Sequence, residues 1–278
     1  DNPIIGNRSF GENPIRVGEL GVQYMKGMQD NGVLACAKHF PGHGDTDEDS
    51  HKSLPIINHT KERLDTVELV PFKMLIKNGL GSIMVAHLFI PELDNTKNQA
   101  VSLSNKVVQK ILKDELSFEG LVITDALNMK GVSKYYTPGI VDVKALLAGN
   151  DILLFSENVP EAINQIKIAI SNGDITQEEV NDRCRKVLIK KYWMGLSKFK
   201  PINIDKVKNE IIVNNTRLIN RKLVENSITV LQNYNNLIPL KRLDTLNIAS
   251  VSIGKSSDVF PATLSKYAKI SHYKISEN

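Results

Sequence analysis

Residues 33–39 read Val-Leu-Ala-Cys-Ala-Lys-His, a short apolar run that leads directly into two reactive side chains. Similar short apolar runs occupy residues 33–37, 82–86, 121–124 and 151–155. The hydrophobic periodicity predicts helices beside them, at residues 17–29, 61–78, 105–116, 141–148 and 177–192. Short apolar strands that alternate with longer helices indicate parallel βαβ units whose sheet is covered on both faces.

Reactive side chains stand at or just beyond the ends of the first three runs. They are Lys38, His39, His87 and Asp125. In parallel α/β folds the functional site forms at the carboxyl ends of the strands, both in a barrel and in an open sheet. The four units fill roughly the first 190 residues, whereas a (β/α)₈ barrel takes about 250. If the fold is a barrel, about half of it, from the amino-terminal side, is missing.

The pattern changes after residue 195. Residues 195–205 contain Gly, Pro, Ser and Asn and are typical of a linker. A helix at 216–226 and strands at 228–232 and 247–253 are predicted beyond it. We therefore expect two domains, residues 1–200 and 201–278, the second being the opening part of another α/β unit.

Composition excludes several classes of protein. The 278 residues carry 35 basic and 31 acidic side chains, and a net charge of +4 gives no support for nucleic-acid binding. Two cysteines cannot form a disulfide framework, and Cys36 is predicted to be a small buried hydrophobic residue. No apolar stretch approaches the length of a membrane span. The chain opens without Met, in what reads as a folded region, so we expect it to be a fragment.

The densest group of titratable side chains lies in residues 38–51, Lys-His-Phe-Pro-Gly-His-Gly-Asp-Thr-Asp-Glu-Asp-Ser-His. One interpretation is a solvated acidic loop with locally bonded histidines. A second is a metal site, although the spacing does not match a helical zinc motif; its candidate ligands are His39, His43, Asp45 and His51. A third is general acid–base catalysis by His51, with Asp49 fixing its tautomer and raising its pKa.

Two further segments carry candidate residues. Asp125 ends the third apolar run, where a carboxylate either caps the next helix or attacks a sugar anomeric carbon. Arg8 lies in Asn-Pro-Ile-Ile-Gly-Asn-Arg-Ser-Phe-Gly at 2–11 and could bind an anionic or hydroxyl-rich ligand, although an isolated Arg near a turn is ordinarily surface. Spacing alone does not decide between these interpretations.

Three motifs together resemble the β-N-acetylhexosaminidase (N-acetylglucosaminidase) branch of glycoside hydrolase family 3. They are residues 2–11, the run from Lys38 through His51 to Pro55, and Ile-Thr-Asp-Ala-Leu-Asn-Met at 123–129. Their order matches the family, and the resemblance covers about residues 1–200. It implies an α/β fold, namely the carboxyl-terminal half of a (β/α)₈ TIM-type barrel followed by the start of an α/β sandwich domain.

The resemblance also implies roles for individual residues. Asp125 corresponds to the nucleophile, His51 to the general acid/base and Asp49 to its partner. Arg8, Lys38 and His39 correspond to positions that bind the N-acetylglucosamine unit. The implied reaction is hydrolysis, with retention, of terminal non-reducing β-linked N-acetylglucosamine. The implied substrate is a glycan or muropeptide derived from peptidoglycan, and no metal or other cofactor is implied.

The motifs also allow functions other than glycoside hydrolysis. Some members of the branch resemble phosphorylases, and we favour hydrolysis over phosphorolysis. A metal-dependent hydrolase and a non-catalytic sugar-binding module have less support. Because half a barrel lacks part of the sugar pocket, the isolated chain is expected to be weakly active or inactive. Relatives that carry a second domain are often exported or lipid-anchored, which slightly favours that location over the cytoplasm.

Overall fold

The computed structural model describes residue 6 and residues 9–46, 53–254 and 258–275. The chain divides into two compact units, Asp1–Lys200 and Pro201–Asn278. This division falls within the stretch that the sequence indicates as a linker. That the second unit opens a sandwich domain stays a prediction.

The first unit alternates helices with short parallel strands. In chain order its elements are α1 (Pro14–Gln29), β1 (Cys36–Phe40), α2 (Lys61–Arg63), α3 (Leu69–Lys77), β2 (Ser82–Val85), β3 (Leu121–Thr124), α4 (Lys130–Ser133), α5 (Ile140–Ala148), α6 (Val159–Asn172) and α7 (Gln177–Trp193). A π-helical turn, Leu64–Glu68, joins α2 to α3, and a π-helical segment, Lys106–Glu115, precedes β3. The predicted alternation of strand and helix is confirmed.

The three strands form one parallel sheet in the order β1-β2-β3. Ser82 pairs with Cys36 on one side and with Leu121 on the other. The predicted strand at 151–155 was wrong in extent, since only Ile152 forms a β-bridge, to Ile123. The Thr124 amide donates to the Ile152 carbonyl at 3.1 Å, so the chain still runs beside β3 at this point.

One face of the sheet is packed against helices and forms the core. Ile83, Val85 and Val122 are fully buried in this core. The helical residues that join them include Val22, Met25, Leu69, Phe72, Leu75, Val107, Val108 and Leu112. Successive side chains of a strand point to opposite faces, so alternate residues face away from these helices. Cys36 is exposed, which makes its predicted burial wrong.

The first strand begins three residues later than the apolar run predicts. The run covers 33–37, whereas β1 covers Cys36–Phe40. Residue Ala35 leads into the strand, and its carbonyl accepts from the Ser82 amide at 3.1 Å. Backbone bonds set the pairing, so the polar Lys38 can occupy the exposed face of the strand. Lys38 and His39 therefore lie within β1 instead of beyond its end.

Side-chain caps begin several helices of the first unit, among them the three longest. Asn13, Asn158 and Thr176 each accept a hydrogen bond from the amide three residues on, and thereby start α1, α6 and α7. The helix α6 was absent from the sequence-based prediction. Among the residues that the structure describes, none of the helices combines the length and the apolar character needed to cross a membrane.

The second unit contains a smaller parallel pair of strands. Its elements are α8 (Ile204–Ile211), α9 (Asn214–Ser227), β4 (Ile248–Ile253), α10 (Val259–Leu264) and β5 (Ile270–Ile275). The strand predicted at 247–253 is confirmed as β4, which pairs with β5 in parallel. The strand predicted at 228–232 was wrong, because those residues leave α9 without joining a sheet.

Candidate functional site

Three of the six candidate site residues are described by the structure, namely Lys38, His39 and Asp125. The predictions for Arg8, Asp49 and His51 fall outside the described residues. The roles of all six stay predictions. The described part of the candidate site comprises the carboxyl ends of β1, β2 and β3 and the loop after β1 as far as Thr46.

Lys38 and His39 occupy neighbouring positions of β1. The Lys38 side chain is exposed and His39 is half-buried. The His39 ring packs edge-on against the ring of His43, with centroids 5.8 Å apart and planes 79° apart. This contact brings the loop after β1 back against the strand.

A hydrogen bond lies within the loop after β1, and a further hydrogen bond and an ion pair join this loop to α2 and to the segment that leads into α2. The Nδ1 atom of His43 lies 2.9 Å from the Thr46 hydroxyl, and His43 and Thr46 are both buried. Asp45 accepts from His59 Nε2 at 3.0 Å and lies 3.6 Å from the guanidinium of Arg63. Within the described residues, no group of three or more His, Cys, Asp or Glu side chains is arranged to hold a metal ion. The candidate ligand His51 lies outside them.

Asp125 directly follows β3 and is half-buried. Its amide donates to the Val85 carbonyl at 2.9 Å, which extends the pairing of β3 with β2 by one residue. Its Oδ1 atom accepts from the Ala126 amide at 2.9 Å. The residue that caps the next helix, α4, is Met129, so Asp125 does not serve as that cap. The chain thus fixes both the backbone and one carboxylate oxygen of Asp125.

His87 lies beside Asp125, at the end of the central strand. Its ring is fully buried, with Nε2 lying 3.0 Å from the Ala126 carbonyl oxygen and Nδ1 lying 2.7 Å from the Ser102 hydroxyl. Burial lowers the pKa of His87 below its ordinary 6.5, against the opposing effect of the Asp125 carboxylate. The imidazole is therefore neutral at pH 7.

The sheet order places the two sets of candidate residues on either side of β2. Parallel strands lie about 4.8 Å apart, so β1 and β3 are separated by about 10 Å. Lys38 and His39 on β1 are therefore separated from Asp125, which follows β3, by the width of one strand. The carboxyl ends of these strands can thus present cationic and imidazole groups on one side of a bound ligand and a carboxylate on the other.

The sequence pattern indicated that His87 is a strand-end residue but predicted no role for it. Ser102 was missed; it lies in a 3-10 turn, Val101–Leu103, fifteen residues further along the chain. The signal for His87 was its position directly after the apolar run 82–86. His59 and Arg63 were also missed. Each contacts Asp45, and the two segments that these contacts join share no sequence motif.

The chain matches the model of the glycosyl hydrolase family 3 N-terminal domain over residues 1–189. It is 33% identical over 206 residues to beta-hexosaminidase A of Pseudoalteromonas piscicida, covering 67% of this chain and 34% of that protein. It is 40% identical over 165 residues to a beta-hexosaminidase of Thiobacillus denitrificans, covering 59% of this chain and 44% of that protein. The chain therefore spans less than half the length of these curated relatives.

A solved structure from the same family has the same fold as this chain. The glycoside hydrolase family 3 beta-N-acetylglucosaminidase from Paenibacillus sp. superposes with a TM-score of 0.79 at 30% identity, covering 99% of this chain and 54% of that one. The predicted fold class, part of an α/β barrel-like domain, is confirmed. Since the family model matches well over half of the sequence, the chain belongs to glycosyl hydrolase family 3.

Proposed function

We propose that the full-length protein carrying this sequence is a retaining glycosidase that removes terminal, non-reducing β-linked N-acetylglucosamine. The observation that supports this most is the position of Asp125. It follows a buried strand at the carboxyl edge of the sheet, and the Ala126 amide holds one of its carboxylate oxygens. Relatives named as beta-hexosaminidases support the same substrate class.

In the proposed first step, the Asp125 carboxylate attacks the anomeric carbon and forms a glycosyl ester. The bond from that carbon to the leaving oxygen breaks, and His51 gives its proton to this oxygen. In the second step, water attacks the anomeric carbon, His51 takes a proton from the water, and the Asp125 carboxylate is released. Two displacements at one carbon retain its configuration.

Asp49 is proposed to hold His51 in the tautomer that this proton transfer needs, since the imidazole must be protonated in one step and neutral in the next. Arg8, Lys38 and His39 are proposed to bind the sugar. Lys38 and His39 lie on β1, with β2 between them and Asp125, and this neighbourhood at one end of the sheet supports the proposed role. The proposed substrates are N-acetylglucosaminyl fragments of peptidoglycan.

Substitution of the two reacting groups tests the proposal in the full-length protein, with a chromogenic β-N-acetylglucosaminide as substrate. Asp125→Asn and His51→Ala should each lower kcat by at least about a hundredfold, given the size of nucleophile and acid–base contributions. Asp174→Asn changes an exposed carboxylate in the turn between α6 and α7 and serves as the matched control. Full turnover by Asp125→Asn would refute the proposal. Release that depends on added phosphate would indicate a phosphorylase instead.

A further inference from the structure

A chain of buried polar groups leads from the core of the first unit to the residue after Asp125. His87, Ser102 and Asn150 are all fully buried. The Asn150 amide donates to the Ser102 carbonyl at 2.8 Å and to the Ala145 carbonyl at 2.7 Å. The Ser102 hydroxyl contacts His87 Nδ1, and His87 Nε2 contacts the Ala126 carbonyl. The chain thus starts at α5 and ends beside Asp125.

The partners of the His87 ring determine its tautomer. A carbonyl oxygen can only accept, so the proton lies on Nε2 and is donated to Ala126 at 3.0 Å. The Nδ1 atom then accepts from the Ser102 hydroxyl at 2.7 Å. Both ring nitrogens are therefore used within the protein, which leaves His87 unsuited to proton transfer with a substrate.

Ala126 connects this ring to the carboxylate. Its carbonyl accepts from His87, while its amide donates to Asp125 Oδ1 at 2.9 Å. A change in the orientation of Ala126 would therefore move the donor that holds the carboxylate. The Asp125 amide is fixed separately, by the Val85 carbonyl at 2.9 Å.

We propose that His87 is a positioning residue for Asp125: its Nε2–H group fixes Ala126, whose amide in turn sets the orientation of the attacking carboxylate. This inference rests on the proposed function, in which Asp125 is the nucleophile. A carboxylate must approach the anomeric carbon along one line, and displacement of a catalytic group by about 1 Å costs on the order of a hundredfold in rate.

Two substitutions, each of which keeps a polar side chain, distinguish this positioning role from a role in packing. In His87→Gln, the amide nitrogen can reach the position of Nε2 and still donate to Ala126. In His87→Asn, the shorter side chain reaches towards Ser102 but not Ala126. We expect His87→Asn to lower kcat by about 10- to 100-fold with KM changed by less than about threefold, and His87→Gln to restore kcat to within about fivefold of wild type.

The kinetic constants are measured in the full-length protein and referred to the folded fraction. Equal kcat values for His87→Asn and His87→Gln, or a rise in KM with kcat unchanged, would overturn the positioning role. If neither variant folds, Ser102→Ala provides the comparison, because it removes one hydroxyl bonded to Nδ1 and leaves the ring in place. It should lower kcat about fivefold, the effect of one ordinary hydrogen bond, and an unchanged kcat would overturn the inference.

A parallel labelling experiment on the wild-type protein separates the two claims. A slow fluorinated glycoside that labels Asp125 supports the proposed function whatever the His87 variants do. Labelling of Asp125 together with equal kcat values in the His87 variants would remove only the positioning role. Labelling at another residue would remove both the proposed nucleophile and the role of His87 that depends on it.

Discussion

Gly42 lies so close to Glu68 that a Cβ atom on Gly42 would stand 2.8 Å from the Cβ atom of Glu68. Gly42 also has φ +147°, a conformation that side chains rarely adopt. The loop after β1 can therefore pack against the π-helical turn only because residue 42 has no side chain. Asp49 and His51, the proposed partner and acid/base, follow this loop in the sequence.

Gly42→Ala should accordingly displace the loop. Under the proposed function it should lower kcat/KM of the full-length protein by at least about tenfold, since small displacements of catalytic groups are costly. Gly44→Ala is the matched control, because none of the residues that the structure describes places an atom within 4 Å of a Cβ atom there. The measurement is the rate with a chromogenic β-N-acetylglucosaminide. Equal rates for the two variants would show that the contact with Glu68 does not determine the path of the loop.

The carboxylate of Asp151 holds three parts of the first unit together. Its side chain is only 2% exposed, and it accepts from the Val122 amide at 2.8 Å and from Lys186 Nζ at 2.8 Å. Lys113 Nζ lies 3.5 Å from it, and burial lowers the pKa of Lys113 against the opposing attraction of Asp151. The carboxylate thus joins β3, the segment Lys106–Glu115 and α7.

Asp151→Ala should lower the free energy of unfolding by about 3 kcal/mol, because it leaves the Val122 amide and the partly buried ammonium groups of Lys113 and Lys186 without their shared carboxylate. Asp182→Ala, which removes an exposed ion pair with Arg185 on α7, should cost less than about 1 kcal/mol. Urea unfolding followed by circular dichroism gives both values. Similar losses for the two variants would contradict the role assigned to Asp151.

The buried neutral state of His87 predicts a pH dependence of stability. In the unfolded chain the ring takes up a proton near pH 6.5, whereas in the folded protein its pKa is lower, since burial outweighs the attraction of the Asp125 carboxylate. The unfolded state therefore binds more protons below pH 6.5. The free energy of unfolding should fall as the pH drops from 6.5 towards the folded pKa, by at most about 1.4 kcal/mol per pH unit from this one group.

His87→Gln cannot titrate in this range, so its stability should decline less than that of the wild type. Unfolding of both proteins in urea at pH 7.5 and pH 5.0 measures the difference. A decline of equal size in both would indicate that the folded protein accommodates a protonated His87.

The fold was predictable where apolar runs coincide with strands. The strands β2 and β3 end within one residue of the predicted runs, because Ser82–Val85 and Leu121–Thr124 are largely buried. The strand β1 was displaced, since polar Lys38 sits on an exposed face that periodicity cannot anticipate. The helix α6 has two ordinary sequence signals, an Asn158 N-cap and Gly173 at its carboxyl end, although it was not predicted.

The candidate site was predictable only in part. The position directly after an apolar run marked Asp125 and His87 as reactive residues, because parallel strands present their carboxyl ends to one edge. The bonds that connect them could not be predicted. Ser102 reaches His87, and Asn150 reaches Ser102, only through the tertiary fold, and neither residue belongs to a recognisable motif.

Covalent labelling tests the central claim most directly. The full-length protein is incubated with a slow fluorinated N-acetylglucosaminide, digested, and analysed by mass spectrometry for a modified peptide. We expect the sugar on Asp125, within the peptide that contains residues 121–129, and no label in the Asp125→Asn variant. A label on any other residue, or turnover without a covalent intermediate, would contradict the account.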